Sequence, residues 1–356
     1  MRLAHIPWED RVYARVDKGR KPVINAAIVG LGWWGQRIVD AVQDKSECLR
    51  FIRGVSKEPD SVRDFAGHHG FELSTELDDV LADPRVEAVV LATPHSLHTK
   101  QIVAVAQAGK AVFSEKPLAL NKTDAILSVQ ACKQAGVVLG LGTNKRFFPS
   151  TRELMRVVAS GALGEILHIE VHNSNENSGT KFSAWRALPS EGSGGGMTGG
   201  GIHALDALVS LAGPVRRVHA QLIPRKPYPD PLDTVSVLLE FTNRTSGVLS
   251  TVRATPLYWR LHVFGKNGSA EALGENDLVV RQSGKKPQHR NFEPVDSLRV
   301  EFETFADAVA GRVPYPIPTE QMIDTIAAFE AIIKSIESGV TVSVKAPAAQ
   351  GIPPNP

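Results

Sequence analysis

Cysteine is almost absent: Cys48 and Cys132 are the only two in 356 residues, far from each other and from any CxxC spacing. That excludes a disulfide framework and a thiolate zinc site, and it makes a reducing cytoplasm the expected compartment. An excess of charge of one sign is lacking too. Forty Lys and Arg stand against 38 Asp and Glu, a formal net charge of +2, so no general field gathers nucleic acid or an anionic membrane. No stretch approaches the roughly 18 consecutive apolar residues of a membrane helix. The first 22 residues alternate charge with aromatics where a signal peptide would have an apolar core. No glycine loop ends in GKS or GKT, which excludes a P-loop. The histidines are scattered, and His168 with His172 falls on an expected strand, where residues four apart face alike but lie far apart, a poor pair for a metal.

What remains is an ordinary globular composition, 42% hydrophobic and 22% charged, long enough for two domains that each bury a core. Residues 1–22, with Arg2, Arg11, Arg15, Lys18, Arg20 and Lys21 around Trp8 and Tyr13, read as an arm packed on its own subunit or a neighbour. From Val23 to Lys145 short β-branched runs alternate with helical patterns, the signature of parallel βαβ units. Strands are expected at 24–29, 49–55, 86–92, 111–114 and 137–141. Helices are expected after Gly35, from a Thr75 cap to Asp83, over 97–108, and from an Asn121 cap. The second domain, 146–345, opens with a Ser150 and Glu153 capping box and a strand over 165–171. Strand-like runs follow at 215–222, 234–241, 247–254 and 261–264, suggesting a mostly antiparallel sheet. Two helices, 298–310 and 319–338, close it, and 346–356 is a Pro-rich tail. The expected class is α/β: a doubly wound parallel sheet followed by an α+β domain with a large open sheet.

Three motifs carry chemistry. Gly30-Leu31-Gly32-Trp33-Trp34-Gly35 follows a strand and opens a helix, the context in which a GxGxxG lets a dinucleotide pyrophosphate approach the backbone at a helix N-terminus. The same turn could serve packing alone. At the end of the second strand, where a carboxylate would grip the ribose of NAD, stand Ser56 and Lys57. A hydroxyl and an ammonium suit a 2′-phosphate, so NADP is favoured over NAD, with Glu58 or Asp60 available to bond the ribose instead. Thr93-Pro94-His95-Ser96-Leu97-His98 and Ser114-Glu115-Lys116-Pro117 leave strands at the carboxyl edge, where such sheets bind ligands. Thr93, Pro94, His95, His98, Glu115 and Lys116 are therefore candidate cofactor contacts, with Gly30, Gly32, Trp33, Trp34 and Gly35. The third motif is a glycine run, Gly194 to Gly201, that leads through Ile202 and His203 to Asp206. It allows close backbone approach to a ligand, or a hinge.

The loop GLGWWG, the run TPHSLH, the motif EKPLAL, the stretch NKRFFP, the HxxD helix start and the pattern EAIIKSIESG, in this order over residues 24–345, resemble the family of glucose-fructose oxidoreductase, inositol dehydrogenase and MocA-like proteins. The resemblance implies a Rossmann domain, a second domain whose open sheet builds homodimers or homotetramers, a nicotinamide cofactor, and a hydroxylated, often sugar-like or cyclitol substrate. Lys116 matches the family's catalytic lysine and His203 its catalytic histidine. One departure stands out: the family commonly has Asp four residues before that histidine, and here the position is Gly199.

The expected reaction is reversible hydride transfer between a carbinol carbon and nicotinamide, with His203 preferred for the proton and Lys116 as polarising partner; the reverse fits the sequence nearly as well. Asp206 could orient the His203 imidazole or merely pack the helix. Substrate contacts are expected from Arg146 and from the loop His172-Asn173-Ser174-Asn175-Glu176-Asn177 through Lys181, Trp185 and Arg186. Two other readings stay open: dehydrogenation of a carboxylated cyclic dihydrodiol held by Arg146 or Arg186, and a catalytically silent NADP-binding sensor permitted by Gly199.

Overall fold

The computed structural model describes residues 23–175, 184–188, 190–191, 194–225, 233–253 and 255–344; the expected arm, the Pro-rich tail and Lys181 lie outside them. The first part alternates β1 (Ile24–Val29), α1 (Trp33–Val42), β2 (Leu49–Val55), α2 (Arg63–His69), β3 (Glu72–Ser74), α3 (Leu77–Ala82), β4 (Ala88–Leu91), α4 (His98–Gln107), β5 (Ala111–Glu115), α5 (Lys122–Ala135) and β6 (Leu139–Gly142). The strands pair in parallel in the order β3-β2-β1-β4-β5-β6, a doubly wound sheet whose strand order reverses beside β1. Helices cover both faces, which is why β4 and β5 are buried at every residue and read as unbroken apolar runs.

The chain continues through α6 (Pro149–Ala159), β7 (Ile166–Asn175), α7 (Gly201–Ala212), β8 (Val215–Ile223), β9 (Thr234–Phe241), β10 (Ser246–Arg253), β11 (Tyr258–Gly265), β12 (Gly268–Leu273), β13 (Asp277–Gln282), β14 (Gln288–Asn291), α8 (Ser297–Val309), α9 (Thr319–Ser338) and β15 (Val342–Ser343). These strands form one sheet in the order β14-β13-β12-β11-β7-β10-β9-β8-β15, antiparallel except for the β7 and β10 pair. One face is covered by helices: Ile169, Val171 and Asn173 of β7 are buried towards them, while His168, Glu170 and His172 alternate to the other side. His172, expected near substrate, thus faces away, its ring nitrogens on the hydroxyls of Ser250 and Ser174. Among the described residues no helix is long and apolar enough to cross a membrane.

Four local expectations are corrected. The helix expected from Thr75 starts at Leu77 with Glu76 at its N-cap and no side-chain cap, because 72–74 is taken up as an edge strand beside β2. Ser150 and Glu153 form no capping box. Pro149, whose fixed φ suits a first helical position, starts α6, the buried Ser150 hydroxyl donates to Gly274 O at 2.8 Å, and Glu153 pairs with Arg156 and Arg290. Three further strands, β12 to β14, extend the second sheet where glycine and charge broke the alternation. Finally, α8 does not close the second layer: Leu298, Phe302, Phe305 and Ala306 pack into the core of the first sheet, with the Phe302 ring 4.3 Å from that of Phe113. The Asn121 cap holds, its side chain accepting from Asp124 N at 3.0 Å, and α9 has the expected bounds.

Phe302 is fully buried, so Phe302→Ala should cost about 3–5 kcal/mol in denaturant unfolding. A loss below about 1 kcal/mol would mean that α8 is not fixed to the parallel sheet.

Candidate active site

The glycine loop crosses from β1 to α1 at the reversal point of the sheet. Gly30 has φ +94°, and a Cβ there would lie 2.5 Å from Ala92 O; a Cβ on Gly35 would fall on the Gly30 carbonyl. At Gly32 nothing lies within 4 Å of the Cβ position, so the space above the N-terminus of α1 is open. That helix has no side-chain cap and no acid in its first turn, which leaves its first amides and its positive end for an anion. Exposed Trp33 flanks the opening, 5.5 Å from the Trp34 ring. These residues fit a dinucleotide pyrophosphate.

At the end of β2, Ser56 is half-buried and its Oγ accepts from Glu58 N at 3.2 Å, while Lys57 is exposed and meets Glu76 at 3.1 Å. A solvated pair of that kind is weak enough for Lys57 to reach another anion. Thr93 and Pro94 leave β4 half-buried. His98 is corrected: it is fully buried, with Nδ1 2.8 Å from Pro117 O and Nε2 3.1 Å from Thr93 O, leaving neither nitrogen for a nucleotide. It ties the loop after β4 to the loop after β5. His95 is also buried, its Nδ1 3.1 Å from Glu191 O, and burial, with His98 and Arg186 behind it, takes its pKa down to about 2. Ser96 donates through both N–H and hydroxyl to the Glu191 carboxylate. Trp185 stands edge-on to His95 at 4.9 Å and Arg186 stacks over Trp185 at 4.4 Å, so these two lie against the cofactor loop. Asn175 ends β7 half-buried.

Lys116 follows β5 on a cis bond to Pro117. Its Nζ donates to Gly199 O at 2.9 Å and Thr198 O at 3.3 Å, joining the parallel sheet to the glycine run before α7. Burial and then Arg186 push its pKa down to about 8, against the pull of Glu115. Glu115 beside it is itself held above the usual carboxylate range by burial, with the Trp34 indole N–H lowering it. His203, one turn into the same segment, is driven well below its ordinary value by burial, then by Lys116 and Lys145, so the ring is neutral. Its buried Nδ1 has no hydrogen-bond partner among the described residues.

Asp206 does not reach that ring. It forms a buried bidentate pair with Arg146, at 2.6 and 2.7 Å, and Arg146 also donates to Gln321 at 2.8 Å. The expectation that Arg146 binds substrate is corrected: its planar fork is taken up inside the protein, 5% exposed, where it fixes α7 to the loop after β6. Glu301 of α8 steadies the same loop by accepting from Thr143 N at 2.6 Å. The residue next to Arg146, Lys145, does face the site. Its Nζ lies 2.7 Å from Asn173 Oδ1 and 4.3 Å from the centre of the Trp259 ring, and burial, with Lys116, brings its pKa down to about 7. The stretch NKRFFP marked Lys145 by resemblance alone and gave it no role, because a lysine in a basic stretch reads as solvated; Trp259 and Glu191 carried no signal.

Two family models match the chain: "Oxidoreductase family, NAD-binding Rossmann fold" over residues 24–143, and "GFO/IDH/MocA C-terminal domain" over residues 151–271. The chain is 23% identical to scyllo-inositol 2-dehydrogenase (NADP(+)) IolW of Bacillus subtilis, over 92% of this chain and 98% of that one. It is 28% identical to 2,7-anhydro-N-acetylneuraminate hydratase of Mediterraneibacter gnavus over 53% of this chain, spanning half of that protein. A solved levoglucosan dehydrogenase in complex with NADH and levoglucosan shares the fold, with a TM-score of 0.81 at 20% identity, over 91% of this chain and all of that one.

Asp206→Asn leaves the Arg146 charge buried with half its partner, and should cost about 3–5 kcal/mol in denaturant unfolding with no specific change in the pH profile of activity. A near-native stability with a shifted profile would instead assign Asp206 to the imidazole.

Proposed function

Because the chain belongs to the GFO/IDH/MocA family of NAD-binding oxidoreductases, we propose that it transfers a hydride between a nicotinamide dinucleotide and a carbinol carbon of a small hydroxylated substrate, a sugar, a cyclitol or a cyclic diol. The observation that carries this reading is the meeting of Lys116, at the carboxyl edge of the parallel sheet, with the segment that leads to His203. The nicotinamide accepts or supplies the hydride when bound. The remaining work, proton handling and orientation, falls to these two side chains.

The electrostatics favour Lys116 for the proton over the assignment to His203 that sequence preferred. A general base works best with a pKa near the operating pH, and Lys116 is brought down to about 8 while His203 falls far below that range. The hydrogen bonds agree. A neutral amine has two N–H donors and one lone pair; the donors are taken by Thr198 O and Gly199 O, which leaves the lone pair for a hydroxyl proton. Neutral His203, whose Nδ1 has no partner among the described residues, hydrogen-bonds and orients the same hydroxyl. In the reducing direction Lys116 as ammonium returns the proton to the developing alkoxide. Ser56, with Lys57 held only by a surface pair, favours NADP over NAD.

Lys116→Ala should lower kcat by about 100-fold or more while nucleotide affinity changes little. With wild-type enzyme, kcat/KM for oxidation should rise with pH as Lys116 loses its proton, and level off above about 8. A single limb near 6.5 would return the proton to His203, and equal loss of turnover and nucleotide affinity in the variant would make Lys116 a cofactor ligand. Ser56→Asp should move the ratio of kcat/KM for NADP over NAD towards NAD; an unchanged ratio would show that this strand end does not meet the 2′ position.

A further inference from the structure

Within the proposed dehydrogenase site, on which this inference rests, a second lysine is built in beside the first. Lys145 Nζ is held by Asn173 Oδ1 at 2.7 Å and by the face of Trp259, residues that pair across β7 and β11. The Asn173 amide lies tightly on Gly200, where a Cβ would collide with its Nδ2, and the preceding carbonyl, Gly199 O, takes the Lys116 ammonium. Lys145, Asn173, the peptide between Gly199 and Gly200, and Lys116 are therefore one connected cluster with His203 a turn away. Among the described residues, the charges that bear on His203 are those of Lys116 and Lys145, both positive. Arg186 and, opposing it, Glu115 of β5 bear on Lys116, and Glu275 in the turn after β12 bears on Lys145. At Gly199, the family's usual carboxylate position, a Cβ would meet nothing closer than Gly196 O at 3.7 Å, and its φ is not left-handed, so the backbone leaves room there for a carboxylate side chain that glycine lacks.

We propose that Lys145 receives a carboxylate carried by the substrate, so that the enzyme acts on hydroxylated acids of the sugar or cyclitol type in preference to neutral polyols. Two desolvated amines beside a neutral imidazole are costly when left to themselves, and an anion on Lys145 relieves that cost through a charge-assisted hydrogen bond, while Lys116 keeps its place on the reacting hydroxyl.

The test pairs each acid with its neutral counterpart, D-glucuronate with D-glucose and D-galacturonate with D-galactose, following reduced nicotinamide absorbance with NADP and NAD. The acids should have the higher kcat/KM. Lys145→Met should lower the ratio of kcat/KM for the acid over the neutral sugar by about 30-fold or more, mainly through the KM of the acid, while Lys145→Arg keeps the acid preference. Gly199→Asp should lower the acid more than the sugar. Neutral sugars equal to or better than the acids, with Lys145→Met affecting both alike, overturn the inference and leave the dehydrogenase reading standing. If nothing is turned over although NADPH binds, it is the dehydrogenase reading that fails for these compounds. Calorimetric titration of D-glucuronate into the enzyme with NADPH then decides the inference: binding lost in Lys145→Met but kept in Lys145→Arg supports it, and no binding, or binding unchanged in Lys145→Met, overturns it.

Discussion

The hydrogen bonds from Lys116 Nζ to the carbonyls of Thr198 and Gly199 are the constraint on which the rest of the site depends. They span the two sheets. A lysine at the end of a buried parallel strand has no reason to turn inward unless acceptors await it, because desolvating an amine is costly. Here both acceptors are backbone oxygens of a segment too rich in glycine for side chains to intervene. Burial and Arg186 lower the proton affinity of the amine, while the two carbonyls fix where its remaining hydrogen-bonding position is presented. Position comes from the carbonyls and the lowered pKa from burial, the two properties that the proposed role of Lys116 requires.

That feature is held by a second tier of buried polar contacts. The pair of Arg146 with Asp206 locks α7, and with it His203, to the loop that leaves β6. Glu301, carried by a helix whose aromatic face belongs to the parallel sheet, holds the backbone at Thr143 just before that loop. His98 bridges the loops after β4 and β5. Each is fully desolvated and each joins elements distant in sequence, so the crevice is defined by a polar network rather than by the apolar layers beneath it.

Much of this was legible in the sequence because local rules acted alone. The glycine loop, the alternation up to Lys145, the Asn121 cap and the run from Thr319 to Ser338 between Pro318 and Gly339 each owe their form to neighbours a few residues away, and Lys116 and His203 stood out by motif. What was not legible depends on distant partners. Nothing near Arg146 announces Asp206, and without that partner a guanidinium beside a cleft reads as a substrate contact. The hydroxyl of Ser150 was taken by Gly274 instead of its own helix. Strands β12 to β14 mix glycine and charge, since they lie towards one edge of an open sheet where only one face needs to be apolar. Lys145 is named by its surroundings, Trp259 and Asn173, and not by its own neighbours.

In the proposed mechanism Lys116 and His203 share one substrate position beside the nicotinamide. A crystal structure of the protein with NADPH and an unreactive hydroxylated ligand tests it most directly. The nicotinamide ring should lie in the crevice between the Lys116 strand end and α7, with one ligand oxygen within hydrogen-bond reach of both Lys116 Nζ and the His203 ring. A nicotinamide lying elsewhere, or the two side chains meeting different parts of the ligand or none, would contradict it.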